Sequence, residues 1–147
     1  MLHRKEMSMC FEEFIEQSQH IECQYKVTED IYKAFQVVSG DMNPLHVDKE
    51  FAQSKGMQDK VMYGNILNAF ISHFVGMCLP SSDVMILAQD INYHLPVYMN
   101  DELLLDVKIE DASDSVRVVN YKFVMYKLTG EDKKPKVAKG HVQIKMI

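Results

Sequence analysis

Six polar or conformationally special residues fall in one short stretch of this chain: Ser39, Gly40, Asp41, Asn43, Pro44 and His46. Among them are a carboxylate, Asp41, and an imidazole, His46. Asn43-Pro44 lies between, and proline pushes the residue before it toward an extended or turn conformation. Across such a turn both side chains can converge on one small molecule, such as a water. A carboxylate and an imidazole held on a loop in this way are equipped for general acid–base chemistry. A plainer reading fits the same spacing: Asp41 and Asn43 cap and hydrogen-bond the loop, and His46 packs. Spacing alone leaves both readings open.

The elements that must position this stretch can be read on either side of it. Phe11 to Ile15 suggests a short helical turn, and Ile21, Cys23 and Tyr25 alternate with polar residues as in a strand. Thr28 can cap a helix with Glu29 and Asp30 in its first turn, where negative charge suits the helix dipole. Ile31, Phe35 and Val38 give that helix an apolar face, and Ser39-Gly40-Asp41 ends it. Asp48 can cap a second short helix over Lys49 to Lys55, which stops at Gly56. Gly64 to Leu79 is the longest helical candidate. Leu67, Phe70, Ile71, Phe74, Val75 and Cys78 form its stripe, Ile66 and Met77 widen it, and Pro80 stops it. A helix so broadly apolar is expected to be wrapped by other structure.

Strand patterns follow nearly to the end: Ile91 to Leu95, Leu103 to Ile109, Val119 to Met125, and Ala138 to Met146. Each shows one apolar and one polar face, as in an antiparallel sheet covering something apolar. The expected architecture is therefore α+β in one domain over residues 1–147, with an antiparallel sheet curled round a long central helix.

Composition narrows the function classes. The chain has 147 residues, a net charge of −5, and 47% residues of the hydrophobic set, enough for a sizeable core. The acidic balance argues against a nucleic-acid partner. Its only dense basic cluster, Lys133, Lys134 and Lys136 beside Pro135, is expected to be a solvated turn between strands. Cys10, Cys23 and Cys78 are scattered, odd in number and lack metal-binding spacing, which fits a reducing cytoplasm. The charged start at His3, Arg4, Lys5 and Glu6 does not resemble a signal peptide, and no run is long enough to span a bilayer. Asp41, His46 and Asp48 could be imagined as metal ligands, but no fourth ligand is placed; no metal and no cofactor are expected.

The stretch Phe35-Gln36-Val37-Val38-Ser39-Gly40-Asp41-Met42-Asn43-Pro44-Leu45-His46, followed after five residues by Ala52, resembles the signature of R-specific enoyl-CoA hydratases. These are MaoC-like dehydratases of the hot-dog superfamily. A helix opening at Gly64 and the step Pro96-Val97 extend the resemblance more loosely over residues 20 to 147. It implies a hot-dog fold, a side-by-side homodimer, and reversible addition of water to a trans-2-enoyl thioester of CoA or acyl-carrier protein. Asp41 and His46 would hold the water, and the Gly64 N–H would receive the negative charge of the thioester oxygen. Ser72 would orient the pair, and Asn43 would fix the loop or orient substrate. The chain departs from the family at Tyr63, where a histidine is usual, at Asn100-Asp101 for Gly-Asp, and at Pro80-Ser81 for Pro-Gly. The same fold admits a dehydratase of a carrier-bound intermediate in a dedicated biosynthetic pathway, a thioesterase, or a non-catalytic module that binds acyl thioesters.

Overall fold

The structure is a computed structural model and describes residues 8–132 and 134–147. The chain opens with α1 (Phe11–Gln17) and β1 (His20–Lys26). Next comes α2 (Glu29–Ser39), capped as its sequence demands: the Thr28 hydroxyl accepts the Ile31 N–H, and Glu29 and Asp30 occupy the first turn. Gly40 ends it with φ +63°, a left-handed conformation that costs glycine little, and this turns the chain toward Asp41. The apolar face of α2 differs from expectation at its end. Tyr32 is buried, whereas Val37 and Val38 are both exposed, because the last turn projects past the core.

Two short helices follow, α3 (Pro44–Val47) and α4 (Lys49–Ser54). The extended or turn conformation expected before Pro44 is found at Asn43, at φ −54° and ψ 131°, and a helix starts at Pro44 itself. Asn43 is its N-cap and Pro44 occupies the first helical position, where a missing N–H costs nothing. Asp48 caps α4 as expected, accepting the Phe51 N–H at 3.0 Å.

The central helix is α5 (Ile66–His73), continued by a π-helical turn over Phe74–Cys78. It is less uniform than the single helix expected from Gly64 to Leu79. In a π turn each residue advances less around the axis, so side chains beyond it rotate out of the α-helical phase. Met77, expected to widen the buried stripe, is accordingly 74% exposed, while Ile66, Leu67, Ile71 and Phe74 are fully buried.

The remaining strands are β2 (Val84–Tyr93), β3 (Glu102–Ser113), β4 (Val118–Leu128) and β5 (Lys136–Met146). All five strands form one antiparallel sheet in the order β1-β3-β4-β5-β2. Leu103, Leu105, Val107, Tyr121, Phe123 and Ile144 face the helix and build the core with it. β2 begins seven residues before the alternation at Ile91 and stops at Tyr93, so Leu95 lies outside it. The sheet covers one side of α5. On the other side Asn65, Ala69, Ser72 and Met77 are exposed. Of the basic cluster, Lys133 lies outside the described residues, as do His3, Arg4, Lys5 and Glu6; Lys134 and Lys136 are exposed.

Candidate functional site

The segment from Asp41 to His46 is folded by its own polar groups. The Ser39 hydroxyl accepts the Asp41 N–H at 3.2 Å. Asp41 Oδ1 accepts the Asn43 N–H at 2.9 Å, and Asn43 Oδ1 accepts the Leu45 N–H at 2.9 Å. These are side-chain-to-backbone turns of the kind Asp and Asn favour. They leave Asp41 Oδ2 free of the loop, and α3 then carries His46 back toward it.

His46 Nε2 lies 3.8 Å from Asp41 Oδ2. Its other ring nitrogen, Nδ1, is 2.7 Å from the Val61 carbonyl oxygen. A carbonyl only accepts, so Nδ1 carries a hydrogen and the neutral ring presents a lone pair at Nε2. Two acceptors therefore face each other across a gap too wide for a direct hydrogen bond. The His46 side chain is 16% exposed and that of Asp41 is 45% exposed, so the pair sits at a surface that small molecules can reach.

Two adjoining clefts meet at the pair. One, of about 260 Å³, is lined by Asp41 and His46 together with Phe35, Tyr63, Asn65 and Tyr93. The other, of about 340 Å³, is more apolar, with Val61, Met62, Leu67, Leu95, Pro96 and Val97. His46, Gly64 and Tyr93 belong to both. Gly64 stands just before α5, and its N–H has no partner in the chain among the described residues. A side chain there would crowd the Tyr93 ring, since a Cβ would sit 3.2 Å from two of its carbons.

The fold thus brings Asp41, His46 and Gly64 to common clefts and places Asn43 under the loop as a cap. Ser72 is on the exposed side of α5, and no hydrogen bond joins it to Asp41 or His46. Asp48 is committed to capping α4. Among the described residues, His20, Glu22 and Asp106 bring potential metal-ligand atoms within 4.8 Å of one another, on β1 and β3 rather than at the clefts, with His20 and Glu22 exposed and Asp106 half-buried.

Sequence reasoning missed two tyrosines. The Tyr63 hydroxyl donates to the Asp41 carbonyl oxygen at 2.7 Å, and its ring stacks on the His46 imidazole. The Tyr32 hydroxyl donates to the His46 carbonyl oxygen. Burial raises both phenols above their ordinary pKa, Tyr32 to about 12 with help from the charges of Tyr63 and Asp59. Tyr63 was visible as a departure from the family pattern, but its contact with Asp41 spans 22 positions and has no local signature.

The model of the MaoC-like domain family matches residues 11–131. An (R)-specific enoyl-CoA hydratase of Aeromonas caviae is 33% identical over 76 residues, covering 52% of this chain and 57% of that enzyme. A mitochondrial 3-hydroxyacyl-[acyl-carrier-protein] dehydratase of Arabidopsis thaliana is 32% identical over 77 residues, covering 52% of this chain and 45% of that protein. The matched segment thus spans about half the length of these curated relatives. Among solved structures, the (R)-hydratase of A. caviae involved in PHA biosynthesis superposes with a TM-score of 0.78 at 22% identity, over 88% of this chain and 95% of that one. The R-hydratase PhaJ1 from Pseudomonas aeruginosa gives 0.76 at 23% identity, over 87% and 79%. The architecture is the hot-dog fold.

Proposed function

The chain belongs to the MaoC-like domain family, and on that premise we propose that it adds water reversibly to a trans-2-enoyl thioester to give an (R)-3-hydroxyacyl thioester. The observation that carries the reading is the pair of facing acceptors, Asp41 Oδ2 and His46 Nε2, 3.8 Å apart. One water about 2.8 Å from each would subtend roughly 85°, close enough to its own bond angle to donate a hydrogen to both. Its oxygen then keeps a lone pair free for the β-carbon of the substrate. As the carbon–oxygen bond forms, Asp41 takes the proton leaving the water, and the same proton is returned to the α-carbon on the same face. No external acid or base is consumed. The electrons of the double bond pass through the thioester carbonyl, whose oxygen becomes enolate-like. We assign the Gly64 N–H, just before the positive end of α5, to receive that charge.

Relatives named for a CoA thioester and for an acyl-carrier-protein thioester both support the substrate class. The working unit is a homodimer paired through β2. Of the two edge strands, β1 carries Glu22 and Lys26, charges that discourage pairing, whereas β2 carries Asp90 alone and exposes Met85, Ile86 and Leu87. Incubation with crotonyl-CoA, following loss of the conjugated double bond and release of free thiol separately, tests the reaction. Loss of the double bond without thiol is expected. Thiol release with the double bond intact would make the protein a thioesterase, and no change with crotonyl-CoA or longer enoyl-CoAs would remove the hydratase reading.

A further inference from the structure

Tyr63 touches both halves of the pair. Its hydroxyl holds the Asp41 carbonyl oxygen at 2.7 Å, and its ring lies on the His46 imidazole with centroids 4.3 Å apart at 29°. Tyr32 supplies the matching bond to the His46 carbonyl. The two tyrosine rings pack on each other at 5.1 Å, and Phe35 packs on Tyr63 at the same distance. Both tyrosines are buried, at 2% and 5% exposure. The two ends of the segment Asp41–His46 are therefore tied, each through a backbone carbonyl, to one aromatic block built from α2 and the residues before α5.

The bonds inside the segment shape its turns but do not anchor it to the rest of the molecule. Asn43 and Leu45 donate to side chains two residues behind them, and these bonds would survive a rigid shift of the loop. The tyrosine hydroxyls, the Val61 carbonyl on Nδ1, the Val61 N–H on the Leu45 carbonyl and the Gln36 side-chain amide on Met42 Sδ join it to the scaffold. Of these, Tyr63 alone reaches both reacting side chains' residues. A water shared by Asp41 and His46 requires their separation to hold within a few tenths of an ångström, so the anchoring bonds bear directly on rate.

We propose that Tyr63, together with Tyr32, forms a positioning frame that sets the Asp41–His46 separation. The kinetic part rests on the hydratase reading. The test therefore combines crotonyl-CoA kinetics with a readout independent of turnover, the ¹⁵N NMR tautomer of His46, in the wild type, Tyr63→Phe, Tyr32→Phe and Tyr63→Leu. Tyr63→Phe keeps the stack and loses the bond, as Tyr32→Phe loses its own. Each is expected to lower kcat roughly 10-fold with KM within about twofold, the pattern of misplaced catalytic groups. Tyr63→Leu loses bond and stack. It is expected to lower kcat at least about 100-fold and to populate the Nε2-protonated ring beside the Nδ1-protonated form. Should both phenylalanine variants keep kcat within about twofold of wild type, or raise KM alone, the frame is overturned. If the wild type itself does not hydrate, the reaction assignment falls, and the frame is then decided by the tautomer: an unchanged Nδ1–H ring in Tyr63→Leu overturns it. Should Tyr63→Leu fail to fold, the two phenylalanine variants decide.

Discussion

The two oxygens of Asp41 have different tasks. Oδ1 accepts the Asn43 N–H and holds the turn, while Oδ2 faces His46. An Asp41→Asn variant keeps an oxygen for the turn and loses the base. We expect the fold to persist and kcat for enoyl-CoA hydration to fall by roughly 10²–10⁴, the range for lost general acid–base catalysis. His46→Gln should fall in the same range, because an amide can still donate to the Val61 carbonyl but offers the water a far less basic acceptor than the imidazole Nε2. The double variant should lose little more than the worse single one, since groups that act as a unit are not additive. Near-normal turnover by folded Asp41→Asn would make the segment a structural loop.

Among the elements, α3 is the one on which the site depends most and which can least stand alone. It has four residues, too few to be stable as an isolated helix. Asn43 supplies its cap, and His46 rides on it. Removing the cap in Asn43→Ala should cost about 1 kcal/mol. In a chain of this length that lowers the melting midpoint by roughly 3 °C. Activity should suffer more than stability, because the imidazole moves with the helix. Asn43→Ser, which retains a capping oxygen, should recover most of both. Parallel melting and kinetics check this; an alanine variant with lowered stability and unchanged kcat would show that α3 holds its place without the cap.

For the whole molecule, two expectations concern assembly and pH. Replacing Met85 and Leu87 on the β2 edge by lysine should leave the sheet intact by circular dichroism and shift the protein to monomer in sedimentation, because charge on an edge opposes strand pairing. A wild type that sediments only as monomer at micromolar concentration would rule out the dimer. The second expectation is loss of stability in alkali. Burial raises the phenols of Tyr32 and Tyr121 from an ordinary value of 10.0 to about 12 in the folded protein. Between these values the unfolded chain releases protons that the folded one retains, so deprotonation favours unfolding. The contribution is complete below about pH 10 and is lost as pH rises through about 12, of order 2 kcal/mol per phenol. Urea midpoints measured across that window should fall, and fall less in Tyr32→Phe. A midpoint independent of pH up to 12 would contradict it.

Local hydrogen bonding and periodicity were enough to read much of this protein from its sequence. The Thr28 cap, the stop at Gly40, the Asp48 cap and the strands over residues 103 to 146 all follow from contacts a few residues long or from alternation between two environments. The Asp41–His46 stretch was conspicuous by residue type, and its resemblance to a known signature gave it a chemical meaning. Even the departure at Asn100 obeys a local rule: its φ is +69°, in the left-handed region that asparagine tolerates where the family has glycine. Other features had no local cause. Met85 to Gln89 shows no strand alternation because this part of the edge strand is exposed on both faces, and the ladder slips between Ile86 and Ala88. The π turn that rotates Met77 outward belongs to the packing of the long helix, not to its apolar spacing. The Tyr32 and Tyr63 bonds join residues 14 and 22 positions apart. The state of the imidazole itself is a tertiary result: Nε2 presents its lone pair to Asp41 because Val61, fifteen residues on, lays its carbonyl against Nδ1 once the chain before α5 runs alongside α3.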